Sequence, residues 1–543
     1  MLPVYYLLIA LLALPLAGTA LVLAAPRFPL LLHHQLLIHV LAAGIMLVLA
    51  WLLRPSHVEV LVGSWLPVSF TGIPLILDTN RSGMVVLIAL AAVMMADPVK
   101  QSQGMKPARA AAEALLFGAL SMTVLANSMV TILVGLGLVD MLAVLNAALD
   151  AHSTGGSYDH VFRDALFLVG SLTFLIIGIS LYDVSGSSLY LPLAHIPPQV
   201  MPFITISLVL RFYFLPLRGV ADVRSESHWT LKASSLAGLA VMARLAQLGA
   251  PELRAWFFGL ALITALAALV IGTLTTSRST LRGSVNTGSL MLALTTAVVW
   301  QPATLILAAT AWFLGTSLLE IRPEDQSASL KKVASSMSLL GALCLMGLPL
   351  TAGFVGRVGV ASLWAGRGTN GTILLATWAI AQLLLTLCVL RLWQWQEVPH
   401  ISGHTTSSLD LQLEIFLPLV AAGVLSLHVL IFGVAPNLAG ASTFAEELSH
   451  MGTVGWLTWL IPTGLGATAW WLFSRWFRLL GRVRPAVLTA GAFGWWQDIL
   501  LGALDRLAKP LRGIVIFLES DGALLWAVIV ILIIVLVSRP GGP

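Results

Sequence analysis

The sequence predicts an all-α polytopic membrane protein of about 14–16 transmembrane helices. Three observations carry that prediction. The 543 residues are 58% hydrophobic and only 10% charged, with mean hydropathy +0.94, whereas soluble domains carry roughly 25% charge. Apolar stretches of about 20 residues, the length that crosses a 30 Å hydrocarbon core, recur along the whole chain. Between them the polar segments are too short to hold a separate soluble domain of roughly 100 residues.

Taken in order, spans are expected near 3–25, 33–53, 79–96, 110–127 and 129–149. The N-terminal run lacks a basic leader and a small-residue cleavage site, so it reads as a retained span. Residues Arg54–Arg81 hold Gly63-Ser-Trp-Leu-Pro67 and Leu77-Asp78, and their Val, Trp, Phe and Pro content predicts a short β-hairpin or extended lid on the membrane surface. The Asp97–Arg109 loop carries Lys100, Lys106 and Arg109 against one Asp; the positive-inside rule makes it cytoplasmic and puts the N-terminus outside. Further spans are expected near 162–182, 200–218, 232–248, 254–275, 285–299 and 301–319. Another group follows near 333–349, 351–366, 371–394, 411–434 and 452–474, the first two forming one helix broken at Pro349.

The C-terminal end has a different texture. Arg475–Arg484 is basic, and Trp495–Leu518 mixes Trp, Leu and Ile with Asp498, Asp505, Arg506, Lys509 and Arg512. That is the pattern of an amphipathic helix lying in the membrane interface, too short to serve as a long lateral rod. A last span is expected at 523–538.

The dispersed basic residues and net charge of +5 argue against nucleic-acid binding, which needs a concentrated basic face. Cys344 and Cys388 both fall in spans and read as apolar filler. His400 and His404 flank Gly403 in a polar loop without a third ligand, so no metal is expected there. No nucleotide fingerprint, cluster spacing or nucleophile–base set is present; no catalytic residue and no cofactor is expected on this chain.

One stretch stands apart. Val209–Leu217, V-L-R-F-Y-F-L-P-L, sets Arg211 and Pro216 in an apolar run. An arginine in hydrocarbon costs about 2.5–3.5 kcal/mol, and Pro216 leaves the Phe212 carbonyl without a helical donor. Either the helix breaks against a bundle interior, or Leu215–Leu217 ends a span and Arg211 snorkels outward.

Ser329-Leu-Lys-Lys-Val333, followed by Met346-Gly-Leu-Pro-Leu-Thr-Ala-Gly-Phe-Val-Gly-Arg357, resembles the large antiporter-like membrane subunits. That family occurs in respiratory complex I (subunit L type), in membrane hydrogenases, in multisubunit cation/proton antiporters and in inorganic-carbon complexes. Arg211–Leu217 resembles its K-S-A-Q-L-P-L, and Ala237–Leu245 its A-G-V-Y-L-I-A-R-L. The Gly63–Pro67 hairpin, Thr386–Trp393 with Arg391, and the Trp495–Trp526 tail are similar to family segments more loosely. The resemblance implies two inverted five-helix repeats with broken helices. It implies a first repeat over 110–249 and a second over 250–394, after N-terminal helices with a hairpin (1–109) and before C-terminal helices (395–543). It also implies a mid-membrane proton path of ionisable residues.

The departures from the family pattern matter. Gly137 occupies the position of the family's glutamate, and Asp140 follows three residues later, about 60° round the helix and about 4.5 Å along it. Asp140 is either a displaced partner for Arg211 or a span-end residue. Arg211 replaces a lysine, and arginine holds its proton at every accessible pH. The family's lysine near Leu305–Leu318 is missing, and its histidine falls on Thr230, with His228 and Lys232 nearby. Arg244 and Arg282 are either members of the polar axis or caps of a span near the interface, and Arg244, Arg357 and Arg391 are secondary charges.

The expected function is a membrane subunit of a multisubunit proton-translocating or proton-coupled complex with an altered proton path. Asp140, Arg211, Lys232, Arg244, Arg357 and Arg391 form that path or its central ion pair, and Pro216 and Pro349 mark helix breaks. The alternative from another class is a non-conducting scaffold that anchors partners; an independent secondary transporter has only topology behind it. Expected partners are other membrane and peripheral subunits and the lipid bilayer, in a bacterial inner membrane.

Overall fold

The computed structural model describes residues 35–53, 58–62, 73–95, 107–154, 159–184, 196–212, 228–247, 254–275, 277–296, 302–319, 328–354, 357, 360, 368–394, 410–436 and 452–480, with 10, 13–15 and 17. Among them the chain is a helical bundle. In order come α1 (Gln35–Leu53), β1 (Val58–Val62), β2 (Ile73–Leu77), α2 (Thr79–Met95), α3 (Pro107–Leu125), α4 (Met129–Thr154) and α5 (Asp159–Val184). Next are α6 (Met201–Arg211), α7 (His228–Gln247), α8 (Arg254–Leu274), α9 (Arg278–Thr295) and α10 (Pro302–Leu319). The series closes with α11 (Ala328–Met346), α12 (Gly368–Gln394), α13 (Asp410–Val434) and α14 (Gly452–Leu480).

Among the described residues four stretches are long and apolar enough to cross a membrane: Met129–Leu149, Asp164–Val184, Phe257–Leu274 and Gly371–Gln394. Their exposed faces suit lipid. On α4, Val134, Leu138, Met141 and Leu145 recur at helical spacing and are all exposed, an apolar stripe that suits lipid or a partner helix and not water. The centre is built from helices with no outer face. Residues 81–92 of α2 and 304–319 of α10 are buried without interruption, the mark of a helix enclosed on all sides. The third central helix, α7, packs against α2, α3, α4, α6 and α10. It lies between α4 and α10 and packs against both.

The expected hairpin is present: β1 and β2 pair antiparallel, Val58 opposite Leu77 and Val62 opposite Ile73. It does not simply lie on the surface. Leu75, Ile76 and Leu77 are buried, and Leu75 bridges Ala126 at the α3–α4 junction. Asp78 then caps α2, its Oδ1 accepting from the Arg81 N–H at 2.8 Å.

Two helices end short of the prolines expected to break them. The helix predicted over 200–218 stops at Arg211, with Phe212 as its C-cap. A residue before proline is driven out of the helical region, and the end falls short of Pro216, which lies outside the described residues. The helix predicted to break at Pro349 ends at Met346, three residues sooner. Gly347 takes φ +69° and closes a Schellman turn: the Gly347 N–H donates to Cys344 O (3.0 Å) and the Leu348 N–H to Leu343 O (3.1 Å). Leu350, at φ +70°, completes the reversal before helix resumes at 352–354. At the far end, α14 runs on to Leu480, past the expected 474. The amphipathic segment 495–518, the span 523–538 and the His400–His404 loop lie outside the described residues.

Candidate functional site: a buried ion pair and the arginines of the helix ends

Arg211 and Asp140 meet in the core. Arg211 Nη1 donates to Asp140 Oδ1 at 2.7 Å and Nη2 to Oδ2 at 2.5 Å. This is the two-pronged geometry in which guanidinium and carboxylate match best. Both side chains are buried, at 0% and 4% exposure. Bidentate pairing and burial together mean that neither charge faces lipid. Arg211 therefore does not snorkel.

The helices explain why this pair forms. α6 delivers Arg211 at its C-terminal end, where a cation complements the helix dipole. α4 presents Asp140 on the face opposite its lipid stripe; Gly137, by contrast, has open space around it at the edge of that stripe. α7 closes over the pair. Ser234 Oγ donates to Asp140 Oδ1 at 3.4 Å. A Cβ on Gly238 would sit 3.0 Å from Arg211 Cδ and 2.9 Å from the Phe212 ring, so the residue facing the pair has to be small. Behind it, Ser171 and Ser207 share a buried hydrogen bond of 3.0 Å between α5 and α6.

Lys232 lies two residues before Ser234 on α7 and is 1% exposed. Its Nζ points the other way, donating to Ser317 Oγ on α10 at 3.4 Å and lying 5.9 Å from the centre of the Phe313 ring. Lys232 thus links the helix that covers the ion pair to the second central helix. The side chains of His228 and Thr230 lie outside the described residues.

The remaining arginines share a different task. Arg391 Nη1 donates to Gly272 O (3.2 Å) and Thr273 O (2.8 Å), and its Nη2 to Thr275 O. It therefore caps the C-terminus of α8 from α12. Arg357 Nη2 donates to Leu345 O, while Gln382 Nε2 takes Met346 O at 3.1 Å. With the two Schellman bonds, the last four carbonyls of α11 all have donors. That matters because bare carbonyls are not tolerated in hydrocarbon. Leu345 O is also the acceptor that Pro349, lacking an N–H, could never serve.

Arg81 completes the series. It donates to Ile76 O (3.0 Å), Leu125 O at the end of α3 (3.4 Å) and Asn127 Oδ1 (3.3 Å). Arg244 reaches the same Asn127 oxygen at 2.9 Å. So Arg211 and Asp140 come together with Ser234. Lys232 stands beside them on α7, and Arg244, Arg357 and Arg391 each attach to a separate helix end or junction.

Sequence reasoning missed Asn127, Ser234 and Gln382, small polar residues whose only signal is position within an apolar run. It also missed His428 on α13, whose Nε2 accepts the Trp51 Nε1–H at 3.0 Å and whose Nδ1 lies 2.7 Å from Val424 O. Those partners are 377 residues apart, and no local pattern joins them.

A chain in the structure of the Mrp complex from Dietzia sp. DQ12-45-1b superposes on this one with TM-score 0.69 at 16% identity. The two share a fold. The match covers 100% of this chain and 64% of that one, so the present chain spans less than two thirds of its neighbour's length. No family description matches the sequence, and no curated protein matches it.

Proposed function

We propose that this chain is a membrane subunit of a multisubunit proton-translocating or proton-coupled complex, with a proton path altered from the antiporter-like pattern it resembles. The observation that carries the proposal is the enclosed Arg211–Asp140 pair, with Lys232 two residues from its Ser234 contact and turned toward α10. Intramembrane ionisable residues of this kind are costly and mark ion pathways. The division of labour follows from side-chain chemistry. Arg211 cannot release its proton and fixes the local field, while lysine is the cation that can give its proton up. Lys232 is the proton carrier in this reading, and Asp140–Arg211 is the switch that biases it.

The domain plan follows the same reading. α3–α7 and α8–α12 are the two five-helix repeats, each with an interrupted fourth helix, α6 and α11. The complex I-like and inorganic-carbon complexes of bacterial inner membranes are the contexts in view, and any redox cofactors sit on other subunits. Co-purifying subunits distinguish these contexts. A large zinc-binding soluble partner indicates carbon accumulation, and quinone- and cluster-binding partners indicate a complex I relative.

The scaffold alternative is favoured by Gly137 at the family's glutamate position and by the missing lysine near Leu305–Leu318, and also by Arg357 and Arg391, which are held on helix-end carbonyls as a purely structural chain would hold them. Proton flux into proteoliposomes bearing the purified complex separates the two. The conducting reading expects Lys232→Met and Asp140→Asn to lower flux at least about tenfold, as loss of a group that transfers protons does. Lys232→Met is expected to leave assembly intact. Unchanged flux in Lys232→Met, or no flux in the wild type, favours the scaffold.

A further inference from the structure

Near their C-terminal ends, α1 and α13 are joined by a cluster of three rings. The Trp51 ring centre lies 5.8 Å from that of His428 and 6.2 Å from that of Phe432. His428 and Phe432 stand one turn apart on α13, with ring centres 6.3 Å apart, and are 4% and 1% exposed. Trp51 is half-buried, so the cluster borders the rim of the bundle and not its middle.

Hydrogen bonding fixes the state of the histidine. Nδ1 lies 2.7 Å from the Val424 carbonyl, which can only accept, so Nδ1 carries a hydrogen. The Trp51 indole can only donate, and its Nε1–H reaches Nε2 at 3.0 Å, so Nε2 is bare. His428 is therefore neutral, in one defined tautomer. A second proton would sit on Nε2 and face the indole N–H. Two donors would then oppose each other, and the hydrogen bond between α1 and α13 would be lost.

Among the described residues His428 is bonded to no charged group. The helices packed against α13 are α2, α10 and α11. α10 has no titratable residue. Arg81, the one on α2, is engaged by Ile76 O, Leu125 O and Asn127. On α11, Lys331 and Lys332 lie in the first turns, and the Cys344 thiol points to Ala311 O. Arg357, beyond the end of α11, is held on Leu345 O. Asp410 and Glu414 lie at the opposite end of α13. The side chains of His39 on α1, and of Arg54, His57 and Glu59 beyond it, lie outside the described residues.

We propose that Trp51 and His428 form a pH-sensitive latch between α1 and α13, closed while His428 is neutral and opened when it gains a proton. The bond is present where imidazole is neutral and is lost as the pH falls through the histidine range, about 5–7. α13 is also the helix that backs the second break, where a Cβ on Gly433 would lie 2.0 Å from the Leu350 carbonyl. The latch thus acts on the helix against which the reversal after α11 is packed. It stands independently of proton conduction, because it involves neither Lys232 nor the Arg211–Asp140 pair.

The test is indole N–H nuclear magnetic resonance on the full chain in detergent, with isotope-labelled tryptophan. The Trp51 signal is identified by its absence from Trp51→Phe. Between about pH 7.5 and about pH 5, the wild-type signal is expected to move from the position of a hydrogen-bonded indole to that of a free one, along a single-proton curve. His428→Gln keeps an acceptor in place of Nε2 but gains no proton in this range, so its Trp51 signal is expected to stay where it is. Thermal unfolding gives a second reading. The wild type's higher midpoint over Trp51→Phe is expected at about pH 7.5 and should shrink at about pH 5, once the bond is broken in both. A wild-type Trp51 signal that does not move overturns the proposal, as does a movement that persists in His428→Gln. Should His428→Gln fail to fold, the comparison with Trp51→Phe decides, and a midpoint difference unchanged by pH overturns the proposal.

Discussion

The two interrupted helices solve the same problem with different partners. α6 ends in Arg211, and that arginine turns to a carboxylate on another helix. α11 ends in a Schellman turn, and Arg357 turns back to a carbonyl of the helix that has just ended. One break holds a charge pair; the other holds a charge and a dipole. An arginine on backbone carbonyls is a cap, set once when the chain folds. An arginine on a carboxylate has a partner whose own charge can change. A buried arginine in this fold takes its role from its acceptor, which is a carboxylate at the first break and a backbone carbonyl at the second.

The largest effect is expected where the charges meet. Asp140→Asn leaves Arg211 buried without its counter-charge, a change worth about 3–5 kcal/mol. The amount of folded protein extracted from membranes should fall sharply, and the exchange Asp140→Arg with Arg211→Asp should recover part of it. Full expression of the single variant would mean that Arg211 has another counter-charge.

Next in size are two glycines that each sit against a break. A Cβ on Gly433 would lie 2.0 Å from the Leu350 carbonyl, whereas on Gly238 the obstacle is the Phe212 ring at 2.9 Å. Backbone cannot step aside, and side chains can. Gly433→Ala is expected to lower stability by about 1–3 kcal/mol through overpacking, and Gly238→Ala by less. Comparing the thermal midpoints of the two variants tests this; the reverse order would show that the second break is the more pliable.

How much of this was legible in the sequence follows from where each signal lies. Apolar length located most helix positions, because a membrane fixes span length almost regardless of neighbours. Arg211 and Asp140 were legible as charges that hydrocarbon could not leave unpaired. The end of α11 falls three residues before the break that Pro349 predicts, because Gly347, the residue able to take φ +69°, closes the helix first. The capping duties of Arg357 and Arg391 were not legible. Their acceptors are backbone carbonyls, which every residue carries and no sequence marks. The Trp51–His428 contact joins two side chains and was hidden for another reason: it depends on how α1 meets α13.

The smallest effect has the opposite sign. Leu350 holds φ +70°, a region that costs a side chain about 1–2 kcal/mol and glycine almost nothing. Leu350→Gly should raise the unfolding midpoint slightly, less the entropy that glycine returns to the unfolded chain. A clear loss of stability would mean that the Leu350 side chain contributes more packing than the strain removes.

In the proposed function Lys232 carries a proton while the arginines only hold charge. The most direct measurement is proton flux through the reconstituted complex with Lys232→Arg beside Lys232→Met. Arginine keeps the positive charge on α7 but does not release its proton. The account predicts that both variants lose flux to the same degree while remaining assembled. Wild-type flux in Lys232→Arg would contradict it, because a fixed charge at that position would then be enough.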